Sequence, residues 1–274
     1  ELKKKISKKT KCILITHYGG IPCNRDKIIK LCKNKIKLVE DSAGALGAAI
    51  GKKKIGSFNN SVSVFSLYPN KIITTGEGGL ISTNDRRLAK KIRTLISIGI
   101  TKDPWKRTKE NLAYKYDLKF PGYKFNFTDL QAAIGIEQIK KIKSILSYRK
   151  KLRKYYNVGL KKLIIKKLIS VYKNKKNITS AEYIYTILIN PKFKISRDHL
   201  ILYLKKNKIN CTVHYIPAHH LSYYKNKFKN NSLTNTNLAY KNIISLPFHN
   251  RLKMKDIAYI TKKILEYYKN EKHI

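Results

Sequence analysis

The chain has 274 residues, enough for a large domain with a smaller one attached, and its 42% apolar content excludes a disordered polymer or a small stapled module. Sixty Lys and Arg against 16 Asp and Glu give a formal net charge of +44, so a role in binding polyanions has to be weighed. The basic residues are spread along nearly the whole length beside abundant Ile, Asn and Tyr. That pattern reads as biased codon usage and predicts weak, salt-sensitive contact with nucleic acid, with no specific nucleic-acid partner.

The first residues, ELKKKISKKTK, lack the apolar core of a signal peptide, and no run approaches the roughly 18 apolar residues of a membrane span. A cytoplasmic protein without a membrane partner is expected. CILIT (12–16), a helix starting near Asn24 and IKLVE (36–40) then follow in the rhythm strand, helix, strand, which predicts parallel strands joined by a crossover. Strands are expected at 62–68 and 79–83, with a helix over 86–96.

Thr128-Asp129-Leu130-Gln131 is a capping box, and Ala132, Ile136, Ile139 and Ile142 repeat at helical spacing behind it, so a helix is expected from Thr128 to beyond Leu146. Past that point a basic helical stretch leads to a strand over 183–189, a helix near 197–206 and a last helix near 254–268. The fold class is α/β, with a mostly parallel large domain over 1–145 and a smaller α+β domain over 146–274. Lys/Asn-rich patches at 172–178 and 225–237 read as exposed loops. Cys12, Cys23, Cys32 and Cys211 have no metal-site spacing, and no metal is expected.

Two residues carry chemistry. Asp41 comes directly after an apolar strand, where open α/β sheets place ligands, although an Asp there also serves to cap a turn. Lys71 leaves an apolar strand, follows Ser66 by five residues and precedes Gly76, Gly78 and Gly79, whose missing side chains let a ligand approach the backbone. A lysine so placed can hold a carbonyl compound covalently, and a carboxylate that keeps a pyridine nitrogen protonated turns the ring into an electron sink.

VEDSAGALGA (39–48), FSLYPNKIITTGEGGLIST (65–83), GYKFNFTDLQAAIG (122–135) and ISLPF (244–248) resemble, in the same order, blocks of the DegT/StrS family of sugar aminotransferases. HYIPAHHLSYY (214–224) is similar to the branch containing UDP-4-amino-4-deoxy-L-arabinose aminotransferase. The resemblance implies a fold-type-I transferase, homodimeric, that uses pyridoxal 5'-phosphate. Its expected substrates are a nucleotide-linked keto sugar destined for surface polysaccharide and an amino donor, glutamate by expectation.

By matching position, Lys71 is the implied cofactor-holding lysine, Asp41 the partner of the pyridine nitrogen, and Ser66 a hydroxyl on the cofactor phosphate. Asn126, or the adjacent Lys124, falls in the segment by which a neighbouring subunit reaches that phosphate. His214 and His219 fall where the branch has histidines near substrate. Gly44 stands where many relatives carry His or Gln beside the ring. The chain also starts well inside the length of its relatives, beyond their phosphate-cradling loop, so the expectation is a fragment that holds the cofactor poorly by itself. The competing expectation, from a different class, is a non-catalytic basic binding protein that keeps the fold.

Overall fold

The computed structural model describes residues 1–33, 35–100, 116–118, 120–173, 175–193, 196–227 and 233–271. In chain order the elements are α1 (Leu2–Lys5), β1 (Cys12–Thr16), α2 (Arg25–Cys32), β2 (Lys37–Asp41), β3 (Ala49–Ile50), β4 (Lys53–Lys54), β5 (Val62–Ser66), β6 (Gly79–Ser82) and α3 (Arg86–Ile96). There follow α4 (Asp129–Lys140), α5 (Ile142–Gly159), α6 (Lys161–Ile165), β7 (Ile169–Val171), β8 (Ile178–Thr179), β9 (Tyr185–Ile189) and α7 (Arg197–Lys206). The chain closes with α8 (Ser222–Lys227), α9 (Thr234–Asn242), β10 (Ile243–Leu246) and α10 (Met254–Asn270). They fall into two compact units, Glu1–Ile142 with Asn177–Ala181, and Lys143–Lys176 with Glu182–Ile274.

In the first unit the expected strand–helix–strand start is present. β1, β2 and β5 are parallel neighbours, and β6 closes the sheet antiparallel to β5. The period-2 pattern of CILIT turns Ile13 and Ile15 inward, where they pack with Leu38 and with Cys32, Ile28 and Ile29 of α2. Asn24 caps α2 by accepting the Lys27 N–H at 3.3 Å. β8 returns from far along the chain to pair antiparallel with β3, matching Ala49 to Thr179 and Ile50 to Ile178.

The buried face of β2 holds a charge. Glu40 is fully buried and accepts from Arg25 Nε at 2.9 Å and from His17 Nε2 at 2.8 Å. Arg25 also donates to Asn60 and Ser61, and the Cys23 N–H donates to His17 Nδ1 at 3.2 Å, so Nε2 is the ring nitrogen that carries a proton toward Glu40. Burial alone would push the Glu40 carboxyl up; the hydrogen bonds from His17, Ser61 and Arg25 outweigh it and hold it at about 2.

The capping box at Thr128 forms as expected, with both reciprocal bonds present. The single helix expected to run past Leu146 is instead two. α4 ends at Lys140, where the Lys141 N–H closes on Gln138 C=O three residues back, and α5 starts afresh at Ile142. The expected loops are also partly ordered into elements: Ile178 and Thr179 pair in a sheet, and α8 and α9 cover the ends of the 225–237 patch. Residues 174 and 228–232 of those patches lie outside the described residues.

The second unit has an antiparallel sheet of order β10-β9-β7. Its core joins Leu152 and Tyr156 of α5, Leu160 between α5 and α6, Ile187 and Ile189 of β9, and Ile257, Ile260 and Ile264 of α10. Gly159 lets α5 and α10 approach closely, because a Cβ there would lie 2.6 Å from Thr261 Oγ1. Arg149 ties the loops to the helix: it donates to the carbonyls of Glu182 at 2.6 Å, Tyr183 at 2.7 Å and Phe248 at 3.0 Å, and to Asn250 Oδ1 at 3.0 Å. Burial pulls its guanidinium down to about 10, still charged at neutral pH.

Two outcomes follow from these buried charges. Arg149→Met leaves three carbonyls without their donor and should cost about 3–5 kcal/mol in urea unfolding; a loss below about 1 kcal/mol would contradict the role given to it. Because the Glu40 carboxyl is depressed in the fold, its contribution is complete above the ordinary carboxylate range and is lost as pH falls toward about 2. The stability gap between the wild type and Glu40→Gln should therefore shrink over that acid interval, as read by denaturant melts at a series of pH values.

Candidate active site

The ladder register places the polar residues of the first unit. Thr16 is the partner of Asp41 in β1–β2, and Asp41 is the partner of Val64 in β2–β5. Side chains alternate along a strand, so Thr16, Asp41, Val64 and Ser66 share one side of the sheet, while Glu40 and Phe65 point into the core on the other. Asp41 does not follow the strand, as the sequence suggests; it is the last paired residue of β2, at the carboxyl edge. Its Oδ2 accepts from Thr16 Oγ1 at 3.3 Å and its Oδ1 from the Ala43 N–H at 3.1 Å. The half-buried carboxylate thus has a fixed orientation and acceptor capacity to spare.

Ser66 ends the neighbouring strand, and the chain then turns through Lys71. Leu67 anchors this turn on both sides. Its N–H donates to Gly78 C=O at 2.9 Å, and its carbonyl accepts from Thr75 N–H at 3.0 Å and Thr74 Oγ1 at 2.9 Å. Ile72 and Ile73 are buried directly after Lys71, so the lysine is held at its base while the residue itself is only half-buried. Gly78 has φ 146° and a Cβ on it would meet the Phe127 ring at 2.6 Å, which requires glycine on both counts. Asp41 and Ser66 accordingly stand at the carboxyl ends of the adjacent strands β2 and β5, and Lys71 lies in the turn that follows β5.

Lys124 and Asn126 line a trough of about 660 Å³ on the same unit, beside Gly78, Gly79, Arg93 and Phe127. The segment that carries them is tied to α3 by Tyr123 N–H to Leu95 C=O and Phe125 N–H to Ile96 C=O, and Tyr123 stacks on Phe125. The histidines belong to the second unit. His214 Nδ1 lies 2.7 Å from Ser245 Oγ, and His219 Nε2 lies 2.7 Å from Asn237 Oδ1, an oxygen it shares with His220 at 2.9 Å. Gly44 lies in the turn after β2, where it offers no side chain.

The sequence reading missed the group behind Asp41. The His17 N–H donates to the Asp41 carbonyl at 2.9 Å, and His17 itself is held by Glu40, so the buried charge cluster fixes the backbone that carries the candidate carboxylate. A signal was present, since a carboxylate at a core position of an apolar strand needs charged partners. Among the described residues no group of three or more His, Cys, Asp or Glu is arranged to hold a metal, and no helix is long and apolar enough to cross a membrane.

An uncharacterized protein of Methanocaldococcus jannaschii is 37% identical, matching 96% of this chain and 68% of its own length. A UDP-4-amino-4,6-dideoxy-N-acetyl-beta-L-altrosamine transaminase of Campylobacter jejuni is 32% identical, matching 90% of this chain and 63% of its own length. A protein of Streptococcus pneumoniae described as a sugar aminotransferase and solved in its PLP form superposes with TM-score 0.85 at 27% identity, over 98% of this chain and 71% of that one. The chain spans about two thirds of the length of these relatives. Since the model of the DegT/DnrJ/EryC1/StrS aminotransferase family matches residues 1–265, nearly end to end, the chain belongs to that family.

Proposed function

We propose that this chain belongs to a pyridoxal-phosphate-dependent aminotransferase acting on a nucleotide-linked keto sugar. The observation that carries the reading is that Asp41 and Ser66 end adjacent strands and Lys71 follows in the turn after the second of them, in a chain of this family. The residues fit the cofactor: a fixed carboxylate with acceptor capacity to spare for a pyridinium N–H, a hydroxyl for the phosphate, and an amine for the aldehyde. Bound there, the cofactor would supply an electron sink beside the transferred nitrogen.

Asp41 keeps the proton on the ring nitrogen. Lys71 would hold the cofactor through Nζ, and its amine would move a proton at the reacting carbon. Ser66 orients the phosphate. The C. jejuni relative, named for a UDP-linked amino sugar, supports a nucleotide-sugar substrate, and glutamate is proposed as the amino donor. His214 and His219 are proposed to meet the substrate.

A homodimer, with Lys124 or Asn126 reaching the partner's phosphate site, is supported by the exposed apolar residues around that segment. Phe125 is 63% exposed and Leu130 80%, and α4 buries no residue.

Two variants test the assignment in the enzyme that carries this chain. Borohydride reduction should fix the cofactor to the peptide containing Lys71, and Lys71→Ala should abolish that labelling and lower amino transfer on the order of a thousandfold. Labelling of another lysine would refute the role. Asp41→Asn should reduce turnover on the order of a hundredfold while retaining most of the cofactor, because it removes the carboxylate charge at the ring nitrogen and leaves the other contacts in place. Parallel losses in cofactor content and turnover would reduce Asp41 to a binding contact.

A further inference from the structure

A separate pocket of about 400 Å³ opens on the second unit, where α5, α6 and the end of β7 meet. Arg153 and Asn157 of α5, Lys161 and Ile165 of α6, and Tyr172 and Lys173 after β7 line it. Arg153 is only 8% exposed; its Nε donates to the Glu182 carboxylate, and its guanidinium carbon lies 5.3 Å from the Tyr185 ring centre. Among the described residues its two terminal nitrogens have no hydrogen-bond partner, and they are not sealed in the interior, so they open on the pocket. Asn157 accepts the Tyr185 O–H on Oδ1 at 2.8 Å, which leaves its amide N–H groups as donors.

In a chain with 60 basic residues, lysines around a hollow mean little by themselves. Arg153 is the informative group, because burying a guanidinium is costly unless its donors are satisfied. Glu182 takes one edge and balances one charge. The remaining fork has the planar paired-donor shape that suits a phosphoryl or carboxylate group. Lys161 and Lys173, both exposed, add two charges at the mouth, which favours a dianion over a single carboxylate. Tyr172 and Ile165 form a wall against which an organic body can lie.

We propose that this pocket binds a phosphoryl group, free or as a phosphomonoester, on Arg153, Asn157, Lys161 and Lys173. The site is built wholly within the second unit and uses none of the residues assigned to amino transfer. Its ligand binds whether or not the aminotransferase reading holds.

Calorimetric titration of the full chain with inorganic phosphate and with glucose 1-phosphate, at ionic strength held constant with chloride, tests this. A saturable one-to-one event should appear and weaken about tenfold in Lys161→Gln/Lys173→Gln, while Lys205→Gln/Lys206→Gln, an exposed pair on α7, leaves it unchanged. Arg153→Met/Glu182→Gln removes both buried partners together and should abolish the event; the lysine pair decides by itself if that variant does not fold. Tighter binding of glucose 1-phosphate than of phosphate identifies an ester as the ligand, and equal binding identifies the bare anion. Equal weakening in both lysine pairs, or no change in any variant, means diffuse attraction to a polycation and overturns the site.

Discussion

The first unit depends on a carboxylate with no exposed surface. Glu40 sits at the end of a strand that must be apolar to pack, and its charge persists because Arg25 and His17 are brought to it from the chain just before and at the start of α2. Those partners join the end of β1, the start of α2 and the end of β2. Alternation along a strand then does the rest: with Glu40 committed to the core, Asp41 must face the other way, at the edge where the parallel strands terminate. The candidate catalytic carboxylate therefore owes its direction to a neighbour that takes no part in chemistry.

The second unit solves a similar problem with the opposite sign of charge. Arg149 spends its donors on backbone carbonyls of three residues far along the chain, and Arg153, one turn on, pairs with Glu182. Guanidinium suits this work because its donors are numerous and fixed in a plane, whereas an ammonium would satisfy fewer carbonyls and lose its charge more readily on burial. Among the described residues the buried side chains with a permanent positive charge are accordingly arginines, and the lysines that dominate the composition lie mostly on solvated surface. The net charge of +44 is thus chiefly a property of the exterior, and it leaves the interior to follow ordinary packing rules.

Much of the architecture was legible in the sequence, and for local reasons. β1 and β2 have apolar alternation, α2 and α3 have capping residues at Asn24 and Asp85, and α4 has its capping box; each is decided by neighbours within a few positions. Asp41, Ser66 and Lys71 were also legible, as polar residues next to apolar strands and a glycine-rich turn. The break at Lys141 was not, because no Pro or Gly marks it and the apolar spacing continues across it. β8 was equally hidden: a two-residue strand in a Lys/Asn-rich stretch has no periodicity, and only its pairing with β3 makes it one.

The sequence by itself determined the strand–helix–strand start of the first unit, the family, and the standing of Asp41 and Ser66 at strand ends, since these rest on short-range pattern and on motifs in fixed succession. Tertiary structure alone decided how the charged groups are partnered. His17 with Glu40, Arg149 with carbonyls about a hundred positions away at Phe248, and the half-satisfied fork of Arg153 are pairings between distant segments. Nothing in the spacing of one residue specifies the other, because a buried charge is tolerated only where the fold brings its counterpart within hydrogen-bond reach.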